Sequence, residues 1–175
     1  MGVVFQRLLQ TIKLERDAFV WMDFNDRATG DAAILVAGTQ VLILLGTGSS
    51  IFDVLFNPVR LISALISALF FWLIYTGATY AVVRYIFDGE GSFPTMLRIT
   101  GFAYPTLLVL IATNLLLPNS FSLSLLLGGA WFVVVVANGV LYIADLPIFK
   151  AFLASIGGFV LVIIVQSILS SFRLF

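Results

Sequence analysis

The chain has no His and no Cys among its 175 residues. That excludes His-ligated haem, thiolate metal sites, cysteine nucleophiles, disulfides and any catalytic triad containing His. What remains for chemistry is carboxylate, and a carboxylate active site needs converging acids. The acids in or beside the apolar stretches, Asp31, Asp53, Asp88, Glu90 and Asp145, are scattered, and no DxxD-like pair or glycine-rich phosphate loop accompanies them. Gly89-Glu90-Gly91 reads as a turn between helices. The expectation is a protein that is not an enzyme, with no catalytic, metal or cofactor-binding residues and no cofactor.

The other polar residues worth weighing lie inside apolar surroundings: Gln40, Asn114, Asn138 and Gln166. An amide in a membrane helix usually makes an interhelical hydrogen bond of about 0.6 to 2 kcal/mol, so Asn114 and Asn138 are expected to act as glue. The competing reading is a transport route lined by Asp31, Asp145, Asn114 and Asn138; such routes more often use intramembrane ionisable groups facing a wet cavity. Arg98 and Pro105 form a second pair. Pro105 removes a backbone donor within a helix and so produces a kink, while Arg98 could reach the freed carbonyls or headgroup phosphates. Together they would shape a pocket near the cytoplasmic side.

The elements that must position these residues are five apolar stretches, about 32–51, 61–83, 99–117, 123–143 and 151–169. Each is close to the roughly 20 residues that cross a hydrocarbon core. A composition of 61% hydrophobic and 10% charged residues, with mean hydropathy +1.13, describes a chain whose solvent is lipid. The hydrophobicity is continuous at helical length, whereas a membrane barrel would alternate apolar and polar residues over about 10 positions. The expected fold is therefore all-α: a polytopic membrane helix bundle of five transmembrane helices over residues 31–175. A segment, residues 1–30, precedes it and carries an amphipathic helix. One alternative stays open at the first stretch. Its firmly apolar part ends at Leu45 before Gly46-Thr47-Gly48-Ser49-Ser50, which also suits a short or re-entrant helix.

Lys and Arg in short loops stay preferentially in the cytoplasm. Arg7, Lys13, Arg16, Arg27, Arg84, Arg98 and Lys150 share one side of the five-span arrangement, against Arg60 and Arg173 on the other. The N-terminus is thus expected in the cytoplasm. The first residues show no apolar central region or cleavage site of a secretory signal, and Met1-Gly2-Val3-Val4-Phe5-Gln6 lacks the hydroxyl residue expected for myristoylation. Val4, Phe5, Leu8, Leu9 and Ile12 recur at helical spacing, with Arg7, Gln10, Thr11 and Lys13 on the other face. Such a helix suits the inner leaflet, or packing against the protein's own loops. Asn25-Asp26-Arg27-Ala28-Thr29-Gly30-Asp31 has helix-start chemistry, its side-chain oxygens suited to the first-turn amides. Ser63-x3-Ser67, Ala64-x3-Ala68, Ala154-x3-Gly158 and Gly128-Gly129-Ala130 permit close backbone approach, and Trp21, Trp72, Tyr75, Tyr80, Tyr85 and Trp131 suit interface anchoring.

The most specific run lies in the third stretch. Arg98 with Gly101-Phe102-Ala103-Tyr104-Pro105 resembles the RxxGFAY(x)P signature at the start of the third helix of the Yip family, the Ypt/Rab-GTPase-interacting membrane proteins. Leu14 to Asp23, followed by Arg27 to Ala32, is similar to the segment before the first helix of bacterial members. The likeness extends to the glycine-bearing loop Phe87 to Phe93 and to a fourth helix with its tryptophan, Trp131. Here Pro105 follows Tyr104 directly, where many relatives carry one residue between, which shifts the register of the kink. The resemblance implies a five-helix integral membrane protein with a cytosolic N-terminal region, in a branch to which the eukaryotic trafficking role does not transfer. The function expected is a non-enzymatic scaffold, interaction partner or accessory subunit in a bacterial cytoplasmic membrane. Its partners would be membrane lipids and other membrane proteins or further copies of itself, and not nucleic acid, since nine basic residues balance nine acidic ones. The alternative is a small transporter or channel component. Arg98, Gly101, Tyr104, Pro105, Asn114 and Asn138 are the candidate structural or interaction residues.

Overall fold

The protein is described from a computed structural model, which defines residues 2–46, 56–116 and 121–171. Two short helices come first, α1 (Gly2–Ile12) and α2 (Arg16–Phe24). The remaining α-helices of the described residues follow: α3 (Ala28–Gly46), α4 (Pro58–Ala81), α5 (Phe93–Ala103), α6 (Val109–Leu116), α7 (Phe121–Ile143) and α8 (Ile148–Ser171). A π-helical turn, Val82–Ile86, prolongs α4, and a 3-10 segment, Tyr104–Leu108, joins α5 to α6. Among the described residues there is no strand.

Local chemistry explains the boundaries. Asn57 caps α4 by accepting from the amide of Arg60 at 3.2 Å, with Pro58 opening the helix, and Ser92 caps α5 by accepting from the amide of Thr95 at 3.2 Å. Both use a side-chain oxygen for an otherwise unpartnered first-turn amide. Pro105 has no amide proton for a continued α-helical ladder, and the chain tightens to 3-10 geometry from Tyr104, whose amide bonds to Gly101 O. α3 begins at Ala28, so the polar turn 28–31 is already helix. Residues 47–51, where the first apolar stretch was expected to end or turn back, lie outside the described residues.

Among the described residues, five helical stretches are long and apolar enough to cross a membrane: Ala28–Gly46, Pro58–Ile86, Phe93–Thr113, Leu126–Ile143 and Ile148–Val165. The third is 61% buried within the protein and the others 22 to 44%, which makes it the central post. α5 packs on α3, α4 and α7, α4 packs on α8, and α2 lies against α5 and α7.

Contacts are close where glycine or alanine faces a large side chain. A β-carbon at Gly101 would stand 2.5 Å from Ala32 Cβ and 3.1 Å from the Trp72 ring. One at Gly139 would collide with Ile99 and reach Phe19 of α2 at 3.1 Å. Gly158 does the same for Thr79 and Tyr75. Tyr75, Phe132 and Phe159 form the centre of an aromatic cluster, with Tyr75 5.0 Å from each of the other two, and the Tyr75 hydroxyl donates to Ser155 O at 3.1 Å. Trp72 and Tyr75 are therefore core residues rather than interface anchors, whereas Tyr85 is exposed. The Ser63 and Ser67 stripe faces outward, whereas Ala68, Gly128, Ala154 and Gly158 pack inside.

The Gly139 contact generates a test within one helix. Gly139→Ala should lower detergent-solubilised stability by about 1 to 3 kcal/mol through overpacking. Gly129→Ala, with no atom within 4 Å of the new methyl, should be neutral or stabilise by up to about 1 kcal/mol through helix propensity. Thermal unfolding followed by tryptophan fluorescence compares the two.

Candidate functional site

α2 ends at Phe24 and α3 begins at Ala28, so the chain turns sharply between them and leaves the last carbonyls of α2 without helical partners. Arg98, one and a half turns into α5, fills that gap. Its Nη1 donates to Met22 O at 2.8 Å and Asp23 O at 3.3 Å, its Nε to Thr29 Oγ1 at 2.9 Å, and its Nη2 to Asp26 Oδ1 at 2.6 Å. The arginine side chain is 5% exposed and that of Asp26 98%. The buried cation is thus held mainly by the negative end of α2 and by hydroxyl and carbonyl oxygens, with a solvated carboxylate completing the set. The planar fork of guanidinium suits several acceptors at once; an ammonium would not span them.

A second contact closes the same elbow from the start of α5. Thr95 Oγ1 donates to Asp23 Oδ1 at 2.9 Å, and Ser92 Oγ lies 2.8 Å from Thr95 Oγ1. Beside it, Phe19 and Met22 of α2 are fully buried, Phe19 against Gly139 and the Tyr142 ring, and Arg7 of α1 stands 5.5 Å from the centre of the Trp21 ring. The loops join in. The amide of Glu90 donates to Ala144 O at 3.1 Å, and Lys150 Nζ stands 5.8 Å from the Phe87 ring centre. One end of the bundle is therefore a connected cap built from α1, α2 and the turns after α4 and α7.

α1 divides its apolar residues. Val4 and Leu8 rest on the core, and Thr11 is buried with its hydroxyl on Arg7 O at 2.8 Å. Val3, Phe5 and Leu9 are 59%, 63% and 43% exposed, so the helix both packs on the protein and presents an apolar edge outward.

The candidate residues fall into two groups. Arg98, Gly101, Tyr104 and Pro105 lie on successive turns of the central post. Gly101 admits α3, Tyr104 packs edge-on to Phe71 and Phe132, and Pro105 starts the 3-10 segment. Arg98 turns to α2 and not to carbonyls freed by Pro105. Asn138 donates to Val134 O of its own helix at 2.9 Å, so that bond is not interhelical. The helical glue comes instead from Trp72 and Thr76 of α4: Trp72 Nε1 donates to Leu97 O and Thr100 Oγ1 at 3.1 and 3.0 Å, and Thr76 Oγ1 is 2.6 Å from Thr100 Oγ1. The side chain of Asn114 lies outside the described residues. Asp145 is exposed in the turn after α7, whereas Asp31 lines a groove beside α1. Nothing in the spacing of Asp23, Asp26 and Thr29 marks them as partners of Arg98, nor Thr95 as a partner of Asp23. Asn25 keeps a local role, accepting from the Arg27 amide at 3.2 Å, but Asp26 serves the distant arginine. Among the described residues no three acidic side chains are grouped to hold a metal ion.

Among the described residues, four apolar spans around a fifth, central one, with polar helices capping one end, define an integral membrane protein of the helical-bundle class. A family model described as the Yip1 domain matches residues 14–169, from the turn after α1 through most of α8. The chain belongs to the Yip family. No curated protein and no solved structure matches it.

Arg98→Ala leaves Met22 O, Asp23 O and Thr29 without their donor and should cost about 2 to 4 kcal/mol, the sum expected for several orphaned buried groups. Arg98→Lys should recover only part of that. Asp26→Asn, at an exposed partner, should cost less than about 1 kcal/mol. Thermal stability of the three variants in one detergent checks the order.

Proposed function

We propose that the protein is a non-enzymatic scaffold or accessory subunit that holds other membrane proteins, or further copies of itself, through its capped end. The observation that carries this reading is the use made of Arg98. All the hydrogen bonds it makes fix α2 and the elbow to the central span, leaving none directed at a substrate, and the cap so fixed displays Leu9 and Phe24, the latter 83% exposed. Rigidly presented apolar side chains within a polar surround suit recognition of a partner.

Arg7, Lys13, Arg16, Arg27, Arg84, Arg98 and Lys150 belong to the capped end, and Arg60 opens α4 at the other. This excess of positive charge at the capped end supports a cytoplasmic cap and N-terminus. The likeness of residues 14–32 to bacterial members of the family supports a bacterial cytoplasmic membrane as its setting. Lipids are then constant neighbours of the outward faces of α3, α4 and α8.

Purification in native nanodiscs followed by mass spectrometry should yield a protein partner at fixed stoichiometry, or a defined oligomer. Phe24→Ser should abolish that association without lowering thermal stability, because Phe24 makes little contact with the rest of the chain. A monomer carrying only lipid would contradict the reading. Ion or solute flux in liposomes that is lost on Asn138→Leu would establish transport in its place.

A further inference from the structure

α1 and the first turns of α3 enclose a groove of 730 Å³. Val4, Phe5 and Leu8 form one wall, and Ile34 and Leu35 the other; Asp31 is the only charged residue in the lining. Phe5 and Ile34 are 63% and 71% exposed, so the groove opens outward along a helix that belongs to the membrane-spanning set. Asp31 sits in the first turn of α3, and Ile34 and Leu35 follow one turn deeper along the same face.

The carboxylate is the informative group. Asp31 is half-buried and, among the described residues, no side chain hydrogen-bonds or ion-pairs with it. The favourable field of the helix start accounts for an acid at this position, but it does not supply a partner where the polar face of the bundle meets the apolar one. Ionisable groups at such depth are stabilised by pairing. The volume lies within the range of small-ligand sites. Its lining joins one carboxylate to aliphatic and aromatic side chains.

We propose that this groove binds a phospholipid whose headgroup carries a primary ammonium, with the ammonium on Asp31 and one acyl chain along Phe5, Leu8, Ile34 and Leu35. A primary ammonium brings three N–H donors to the carboxylate, whereas a quaternary choline headgroup brings charge without donors. The site is separate from the exposed Phe24 surface assigned above to a protein partner. Lipid selectivity can therefore be lost while partner binding survives, and the reverse.

The test is native mass spectrometry of the full chain released from nanodiscs holding equal amounts of phosphatidylethanolamine and phosphatidylcholine with identical acyl chains. The protein should retain the ethanolamine lipid in preference by about five-fold, the ratio that one partly exposed ion pair provides. Asp31→Asn should bring the ratio to about one and Asp31→Glu should restore it, as expected when one charge-assisted pair sets the selectivity. Ile34→Trp, filling the groove from an exposed position, should release the lipid with Asp31 intact. Equal retention of both lipids by the unmodified protein, or an undiminished preference in Asp31→Asn, would overturn the proposal. Thermal stability of each variant establishes that the compared proteins are folded.

Discussion

A guanidinium cannot be buried in a membrane helix unless its donors find acceptors, and a helix cannot end inside a protein unless its last carbonyls find donors. Arg98 answers both requirements with one set of bonds. Its fork takes up the final carbonyls of α2 together with Thr29 and Asp26, so the residue least suited to the interior of α5 becomes the one that joins the N-terminal helices to the span at the centre of the bundle. Without that junction α1 and α2 would depend on the burial of Ala18, Phe19 and Met22 and on the Thr95 bond to Asp23. The chemistry of the arginine also explains why a solvated acid suffices as its formal partner. Most of the charge is met by oxygen atoms already fixed by helix geometry, and Asp26 gains little by being near but loses nothing by remaining in water.

Around this junction the central post is fitted by size. Gly101 admits Ala32, Gly139 admits Ile99 and Phe19, and Gly158 receives Tyr75 and Thr79. Close backbone approach is the usual means of packing helices where lipid offers no hydrophobic drive for association. The hydroxyls of Thr76 and Thr100 and the indole of Trp72 add polar bonds between α4 and α5 at the same level. Pro105 contributes differently. It converts the continuation of α5 to a 3-10 turn, after which α6 packs on α7. The arginine and the proline thus act seven residues apart on one post, the first toward α2 and the second toward α6.

Hydropathy alone revealed the five spans, because 20 consecutive apolar residues admit few other folds, and the Arg98 to Pro105 run pointed to the family. The partners of Arg98 could not be read the same way. They lie 69 to 76 positions away in the chain, and the residues concerned have local explanations that compete with the distant one. Asp26 looks like a capping residue, Thr29 like the first turn of a helix, and Met22 offers only its backbone. Asn138 erred in the other direction: an intramembrane amide suggests an interhelical bond, but a carbonyl of its own preceding turn was in reach. Tryptophan and tyrosine misled for a similar reason, since Trp72 and Tyr75 found polar partners inside the bundle and did not need the interface. In α1 the period was legible, but the face that meets the protein was not. Val4, Leu8 and Thr11 turn inward together, a choice decided by the shape of α2 and α5.

Hydrogen–deuterium exchange on the full chain in nanodiscs, comparing the unmodified protein with Arg98→Ala, tests most directly whether one arginine holds the cap to the bundle. Amides of residues 16–30 should exchange faster in the variant, by roughly the factor of 30 that corresponds to about 2 kcal/mol of lost local stability, while those of α4, α7 and α8 keep their protection. Unchanged protection across residues 16–30 would contradict the account and assign the cap to hydrophobic contact alone.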